Sequence, residues 1–159
     1  MELIIFIGLQ ASGKSTFFRT YFPKTHELIS KDLMRNNKNR ERRQRQLLRT
    51  ALEAGRSVVV DNTNPTVEQR SLLIQQGQQY NAQIIGYYFK SNLKDCLKRN
   101  QQRTGKARVP NVALYTTSKK LVLPNYGEGF HTLFHVAIAK SGGFNIQSWG
   151  EKVNYELIN

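Results

Sequence analysis

Apolar residues come along this chain in short blocks separated by longer, more polar stretches. Glu2–Ile7 is an almost continuous apolar run and reads as a buried parallel strand. A loop from Gly8 to Gly13 follows, and a helix opens at Lys14. Leu28 and Ile29 mark a second, short strand. The region after Ser30 reads as helical, with a break near Asn36–Asn39. Leu47, Leu48, Ala51 and Leu52 give its later half an apolar face, and Gly55 sits where a helix ends on a left-handed residue. Ser57–Asp61, with consecutive Val58, Val59 and Val60, predicts a third strand. Asn64 is placed to cap a helix with Pro65 at its first position, burying Val67, Leu72 or Leu73, and Ile74. Ala82–Phe89 predicts a fourth strand, with Tyr87 and Tyr88 in or near the core. Asn92–Arg103 predicts a helix with Leu93, Cys96 and Leu97 on one face, which puts Cys96 in the core. After a polar connection from Thr104 to Val109, Pro110 starts another helix that ends before Pro124. Thr132–Ala139 is the last clear strand. His26 falls at the entrance to the second strand and His131 and His135 at or in the last, all as structural residues. Residues 140–159 support nothing firmer than a hairpin or an edge strand. Strands alternating with helices predict an α/β domain with a mainly parallel sheet of about five strands, flanked by helices.

Composition narrows this. A chain of 159 residues suits one domain spanning 1–159, and its 39% hydrophobic content excludes a disordered segment. No apolar run approaches the ~20 residues of a membrane span, and Leu3–Ile7 is too short for a signal-peptide core. The single Cys96 cannot form an internal disulfide, which suits a reducing compartment, and one Cys with three His argues against a Cys/His metal site. A cytoplasmic protein with no membrane partner is the expectation. The net charge is +13, and it is localised: residues 31–56 hold nine Lys/Arg against three acids, and residues 90–120 hold nine against one. Solvated helix faces account for such runs, and so does a surface that binds a polyanion.

The chemistry concentrates in three places. Gly8-Leu9-Gln10-Ala11-Ser12-Gly13-Lys14-Ser15 fits the phosphate-binding pattern G-x-x-x-x-G-K-[ST], between a strand and a helix as that pattern requires. Its backbone N–H groups, from Gly8, Ala11, Ser12, Gly13 and on to Thr16 in the helix, would face the phosphates of ATP. Lys14 would reach the β- and γ-phosphates and the Ser15 hydroxyl would ligate Mg²⁺. Asp61, ending an apolar strand, has the form of the second acidic element of nucleotide hydrolases and would orient Mg²⁺ directly or through water. Ser30-Lys31-Asp32-Leu33-Met34-Arg35 follows the second strand at the carboxyl edge, where α/β proteins bind ligands. Asp32 is placed to take a proton from an attacking hydroxyl, and Arg35, one turn on, to bind a substrate phosphate. The competing reading makes Ser30 or Asp32 a helix cap. Arg99, Arg103, Lys106 and Arg108 flank a connection that reads as a lid, about residues 99–122. Arg103 and Arg108 are the candidates for an arginine acting on the transferred phosphoryl group, and Arg99 reads as part of a solvated helix end.

Together these stretches resemble the kinase domain of the polynucleotide kinase-phosphatase family. Gly8–Phe17, Ser30–Arg35 and the run GRSVVVDNTNP from Gly55 to Pro65 carry the resemblance. Arg99-Asn100, Arg103 and Val109-Pro110 look like its lid. Pro124 and Glu128-Gly129-Phe130 are similar to its ending. The resemblance implies a P-loop kinase fold with a helical lid and transfer of the ATP γ-phosphate to the 5′-hydroxyl end of DNA or RNA. It implies Asp32 as general base and Arg35 on the substrate's 3′-phosphate, with Asp61 beside the substrate and Asn62 and Asn64 either there or in a structural role. Only Asp32, Asp61 and Asp95 are present, so the D-x-D-x-T motif of the family's phosphatase is missing. The expectation is a kinase without phosphatase activity, working beside a separate phosphatase or ligase. A kinase of a small metabolite or nucleoside is the alternative, and a non-catalytic nucleotide-dependent binding protein a third reading.

Overall fold

The structure is a computed structural model and describes residues 1–150. Six strands form one sheet in the order β2-β3-β1-β4-β5-β6. These are β1 (Glu2–Ile7), β2 (Glu27–Ile29), β3 (Val58–Val60), β4 (Gln83–Phe89), β5 (Thr132–Ile138) and β6 (Phe144–Ser148). All neighbours are parallel except β6, which runs antiparallel to β5. The helices are α1 (Lys14–Tyr21), α2 (Arg40–Glu53), α3 (Val67–Gln79), α4 (Leu93–Gln101) and α5 (Asn111–Lys120).

The continuous apolar run of β1 follows from its central place. It pairs with β3 on one side and β4 on the other, and Leu3 through Ile7 are fully buried. Alternation divides the run between two cores. Leu3, Ile5 and Ile7 join Leu48, Leu52, Leu73 and Ile74 of α2 and α3, whereas Ile4 and Phe6 join Phe17 and Phe18 of α1. Each such side chain contributes roughly 1.5–3 kcal/mol by leaving water. A third, smaller cluster of Leu9, Cys96 and Leu114 seats α4 and α5 beneath the phosphate-loop sequence, so Cys96 is a core residue, as its helix face predicts.

The tail supplies the hairpin it allowed: residues 144–148 pair antiparallel with β5 as a sixth, edge strand, while residues 151–159 of the tail lie outside the described residues. Three expectations need correction. The helical region after Ser30 is only a 3₁₀ turn, Lys31–Leu33, before α2 begins at Arg40. Helix α3 is capped by Thr66, not Asn64. Asn64 has φ +42° and its Nδ2 donates to the Phe6 carbonyl oxygen at 2.8 Å, which ties it to the end of β1, two residues ahead of the cap. With the start shifted, Leu73 and Ile74 are buried while Val67 and Leu72 are exposed. The expected C-terminal signal of α2 holds: Gly55 has φ +72°.

Candidate active site

The carboxyl ends of β1, β2 and β3 bring the three motif segments to one edge of the sheet. The register aligns Ile5 with Val60 and Val60 with Ile29, and the Asp61 N–H donates to Ile29 O at 2.9 Å. Gly8, Ser30 and Asp61 therefore emerge side by side. They open onto a cavity of about 630 Å³ whose walls include Lys14, Ser15, Asp32, Arg35, Asp61 and Arg103.

The loop Gly8–Gly13 is folded for anion binding. Gly13 has φ +101° and ends the loop where α1 begins. A Cβ on Gly13 would lie 3.1 Å from Phe144 and 3.3 Å from Ile138, so the β5–β6 hairpin presses on the loop and demands glycine there. Ala11 also takes a left-handed φ, +62°. The Gly8 N–H donates to Thr63 O at 3.0 Å, tying the loop to the segment after β3. Lys14 Nζ donates to Gly8 O at 3.0 Å, Leu9 O at 2.6 Å and Ser12 Oγ at 3.4 Å. Burial lowers the Lys14 pKa to about 8, against the opposing charge of Asp61. A buried ammonium held only by neutral acceptors is set to gain from a phosphate.

Ser15 Oγ donates to Asp61 Oδ2 at 2.8 Å. Burial pushes the Asp61 carboxyl up from its ordinary range, while Lys14 and the Ser15 hydrogen bond pull the other way. These are hard oxygen donors beside a buried carboxylate short of positive charge, and they fit a divalent cation such as Mg²⁺.

Asp32 is exposed at the cavity wall, and its carboxylate accepts no hydrogen bond from the described residues. The cap reading falls to its neighbour: Ser30 Oγ accepts from the Asp32 N–H at 3.3 Å, which leaves the carboxylate free for chemistry. Arg35 Nε donates to Asp32 O at 3.1 Å, and its Nη2 crosses the cavity to the Lys106 carbonyl oxygen at 3.2 Å. Arg103 lines this cavity and Arg108 does not. A second cavity of about 380 Å³ adjoins the loop, between Thr16, Tyr21, Arg99, Arg103, Ile138 and Phe144. Arg103 thus stands where the two meet.

Asn62 and Asn64 lie beside the cavity, but their side chains are engaged in the scaffold. Asn62 Nδ2 donates to Gln44 Oε1 at 2.6 Å and its Oδ1 accepts from the Lys31 N–H at 2.9 Å. It locks the turn carrying Asp32 to α2. Both line the cavity, and these bonds give them the structural role that the sequence leaves open. Arg99 needs correction. Its Nε donates to Ala11 O at 2.6 Å, so it braces the loop from α4 and is not a solvated helix end. Gln44 and Arg70 were not legible as site residues. Arg70 is fully buried and pairs with Glu128 at 2.8 and 3.1 Å while Nη1 donates to Asn64 O and Val122 O.

A phosphate loop, a buried lysine, a serine–aspartate pair and an arginine facing one cavity at the edge of a parallel sheet define a P-loop phosphotransferase. Residues 3–119 match the family model described as an AAA domain. The chain belongs to that family. It is 26% identical over 136 residues to the bifunctional polynucleotide phosphatase/kinase of Schizosaccharomyces pombe, covering 81% of this chain and 32% of that protein. It is 31% identical over 137 residues to the L-seryl-tRNA(Sec) kinase of Methanococcus maripaludis, covering 77% of this chain and 53% of that one. The chain thus spans about a third of the first relative's length and about half of the second's. Among solved structures it resembles a chain of the Pnkp1/Rnl/Hen1 RNA repair complex, with 24% identity, a TM-score of 0.63, and 76% of this chain and 43% of that one covered. No helix among the described residues is long and apolar enough to cross a membrane.

Proposed function

We propose that the protein transfers the γ-phosphate of ATP to the 5′-hydroxyl of a DNA or RNA strand. The observation that carries this reading is that Asp32 and Arg35 share one cavity with Lys14 and Arg103. A hydroxyl at Asp32 would face a γ-phosphate at Lys14. Asp32 accepts the hydroxyl proton as the 5′-oxygen bonds to phosphorus. The bond from phosphorus to the β-γ bridging oxygen breaks, and ADP leaves. General-base help of this kind is typically worth ~10²–10⁴ in rate. Arg103 neutralises charge on the phosphoryl group in flight, an effect of order 10³–10⁵ for a well-placed arginine. Arg35 binds the phosphate on the 3′ side of the acceptor nucleoside. The nucleotide's base occupies the cavity between Arg99, Tyr21 and Phe144. Ser15 and Asp61 would hold Mg²⁺, which when bound offsets phosphate charge. Asn62 and Asn64 position the loop that bears Asp61 and the turn that bears Asp32.

The test offers γ-labelled ATP and Mg²⁺ with a 5′-hydroxyl oligonucleotide, the same oligonucleotide already 5′-phosphorylated, and seryl-tRNA. Label on the first alone supports the proposal. Label on seryl-tRNA alone would move the substrate to the one named by the archaeal relative.

A further inference from the structure

Cations in α2 are distributed against the interest of the helix. Arg40, Arg42 and Arg43 occupy its first turn, and its last turn has no basic residue. A helix N-terminus carries positive potential, so arginines there are repelled and would stabilise the other end. Asn39 caps the helix and Glu41 is the acid of the first turn, but the Glu41 carboxylate is taken by Lys31. Lys38, Arg40, Arg42, Arg43 and Arg45 are exposed, and their side chains have no carboxylate or hydrogen-bond partner among the described residues. The other basic segment is differently employed. Arg99 is spent on Ala11 O, and Lys98, Lys119 and Lys120 sit in the last turns of α4 and α5, where positive charge stabilises a helix. Arg40 lines the cavity that also holds Asp32 and Arg35, and its neighbour Glu41 pairs with Lys31 of the Asp32 turn, whereas the cavity at Tyr21 and Phe144 does not include it. Arginines carried at a cost to the helix, and continuous with the acceptor end of the cleft, are explained by an anion that comes and goes.

We infer that the acceptor strand leaves the cleft across the N-terminal half of α2, with its successive phosphates paired to Lys38, Arg40, Arg42, Arg43 and Arg45. The inference rests on the proposed polynucleotide reading and adds the path of the strand. A nucleoside 3′-monophosphate stops short of Arg42, Arg43 and Arg45, so it gains nothing from them. A longer strand gains both affinity and salt dependence from it.

The experiment compares the wild type with the triple variant Arg42→Gln, Arg43→Gln, Arg45→Gln, none of which lines the cleft. Binding of a twelve-nucleotide 5′-hydroxyl strand is read by fluorescence anisotropy over a salt series. Steady-state KM is read for that strand, for a nucleoside 3′-monophosphate and for ATP, and Tm is measured for both proteins. The variant should raise Kd and KM for the strand about tenfold or more. Its log Kd against log salt should flatten by roughly 2, at ~0.7 per single-strand phosphate contact. KM for ATP and for the mononucleotide should not change, and Tm should stay level or rise as the helix loses repelled charge. Equal strand affinity in the two proteins, an equal loss for the mononucleotide, or a lower Tm would overturn the path while leaving the kinase reading intact. A wild type that neither binds nor phosphorylates the strand would overturn both.

Discussion

In the proposed reaction the chemistry turns on Asp32 and Arg103, and Arg108 serves as the control for Arg103. Asp32→Asn keeps the shape of the turn, since Ser30 caps it through a backbone N–H. It should lower kcat for transfer by ~10² or more while ATP affinity, read by calorimetry, stays within about twofold. An unchanged kcat would remove Asp32 as the base. Arg103→Ala should lower kcat by ~10³ and Arg108→Ala by less than about threefold, because only Arg103 lines the cavities. The reverse order in a steady-state comparison would transfer the role to Arg108. At this scale the sequence was most readable where function and neighbourhood coincide. Gly8–Ser15 is contiguous, and its spacing states its geometry. A helix-end arginine such as Arg99 reads as solvated until the loop it braces, 88 residues earlier, is folded against it. Asn64 reads as a helix cap for a related reason, since its acceptor, Phe6 O, lies 58 residues away.

Among the elements, the parallel strands and their helices follow from apolar blocks and turn chemistry, whereas β6 does not. Most of Phe144–Ser148 is exposed, so no alternation marks it. It nevertheless matters to the site, because Phe144 and Ile138 press on Gly13. The hairpin should respond to pH. His135 on β5 is buried beside Tyr88 and Trp149, and its Nε2 has no hydrogen-bond partner among the described residues. Burial, with Lys90 adding to it, lowers its pKa below the usual 6.5. The unfolded chain therefore takes up a proton at this position before the folded one does. His135 contributes stability fully above about pH 6.5, and that contribution is lost as pH falls through the folded-state value. Urea midpoints followed by Trp149 fluorescence should fall from pH 7.5 to 5.5, and more shallowly in His135→Phe. Parallel declines in the two proteins would contradict this assignment.

In the molecule as a whole, one buried ion pair joins the parts that must stay in register. Arg70 holds Glu128, the loop after β3 through Asn64 O, and the return from the lid through Val122 O. Val122 N–H donates in turn to Pro65 O at 2.8 Å. Removing one partner strands a buried charge, so Glu128→Gln should cost about 3–5 kcal/mol of stability in chemical denaturation. A loss below about 1 kcal/mol would mean that the pair is dispensable. No local pattern announces it, because its halves are 58 residues apart. Net charge, by contrast, is legible from the sequence alone, and the fold places part of it on a cationic helix beside the cavity lined by Asp32 and Arg35. The central claim is that this cleft serves a strand's 5′-hydroxyl and not a small alcohol. The most direct measurement is kcat/KM, with γ-labelled ATP, for a 5′-hydroxyl oligonucleotide against a panel of nucleosides, sugars and coenzyme precursors. The account predicts that the oligonucleotide leads by ~10² or more. A small metabolite with the higher value would contradict it.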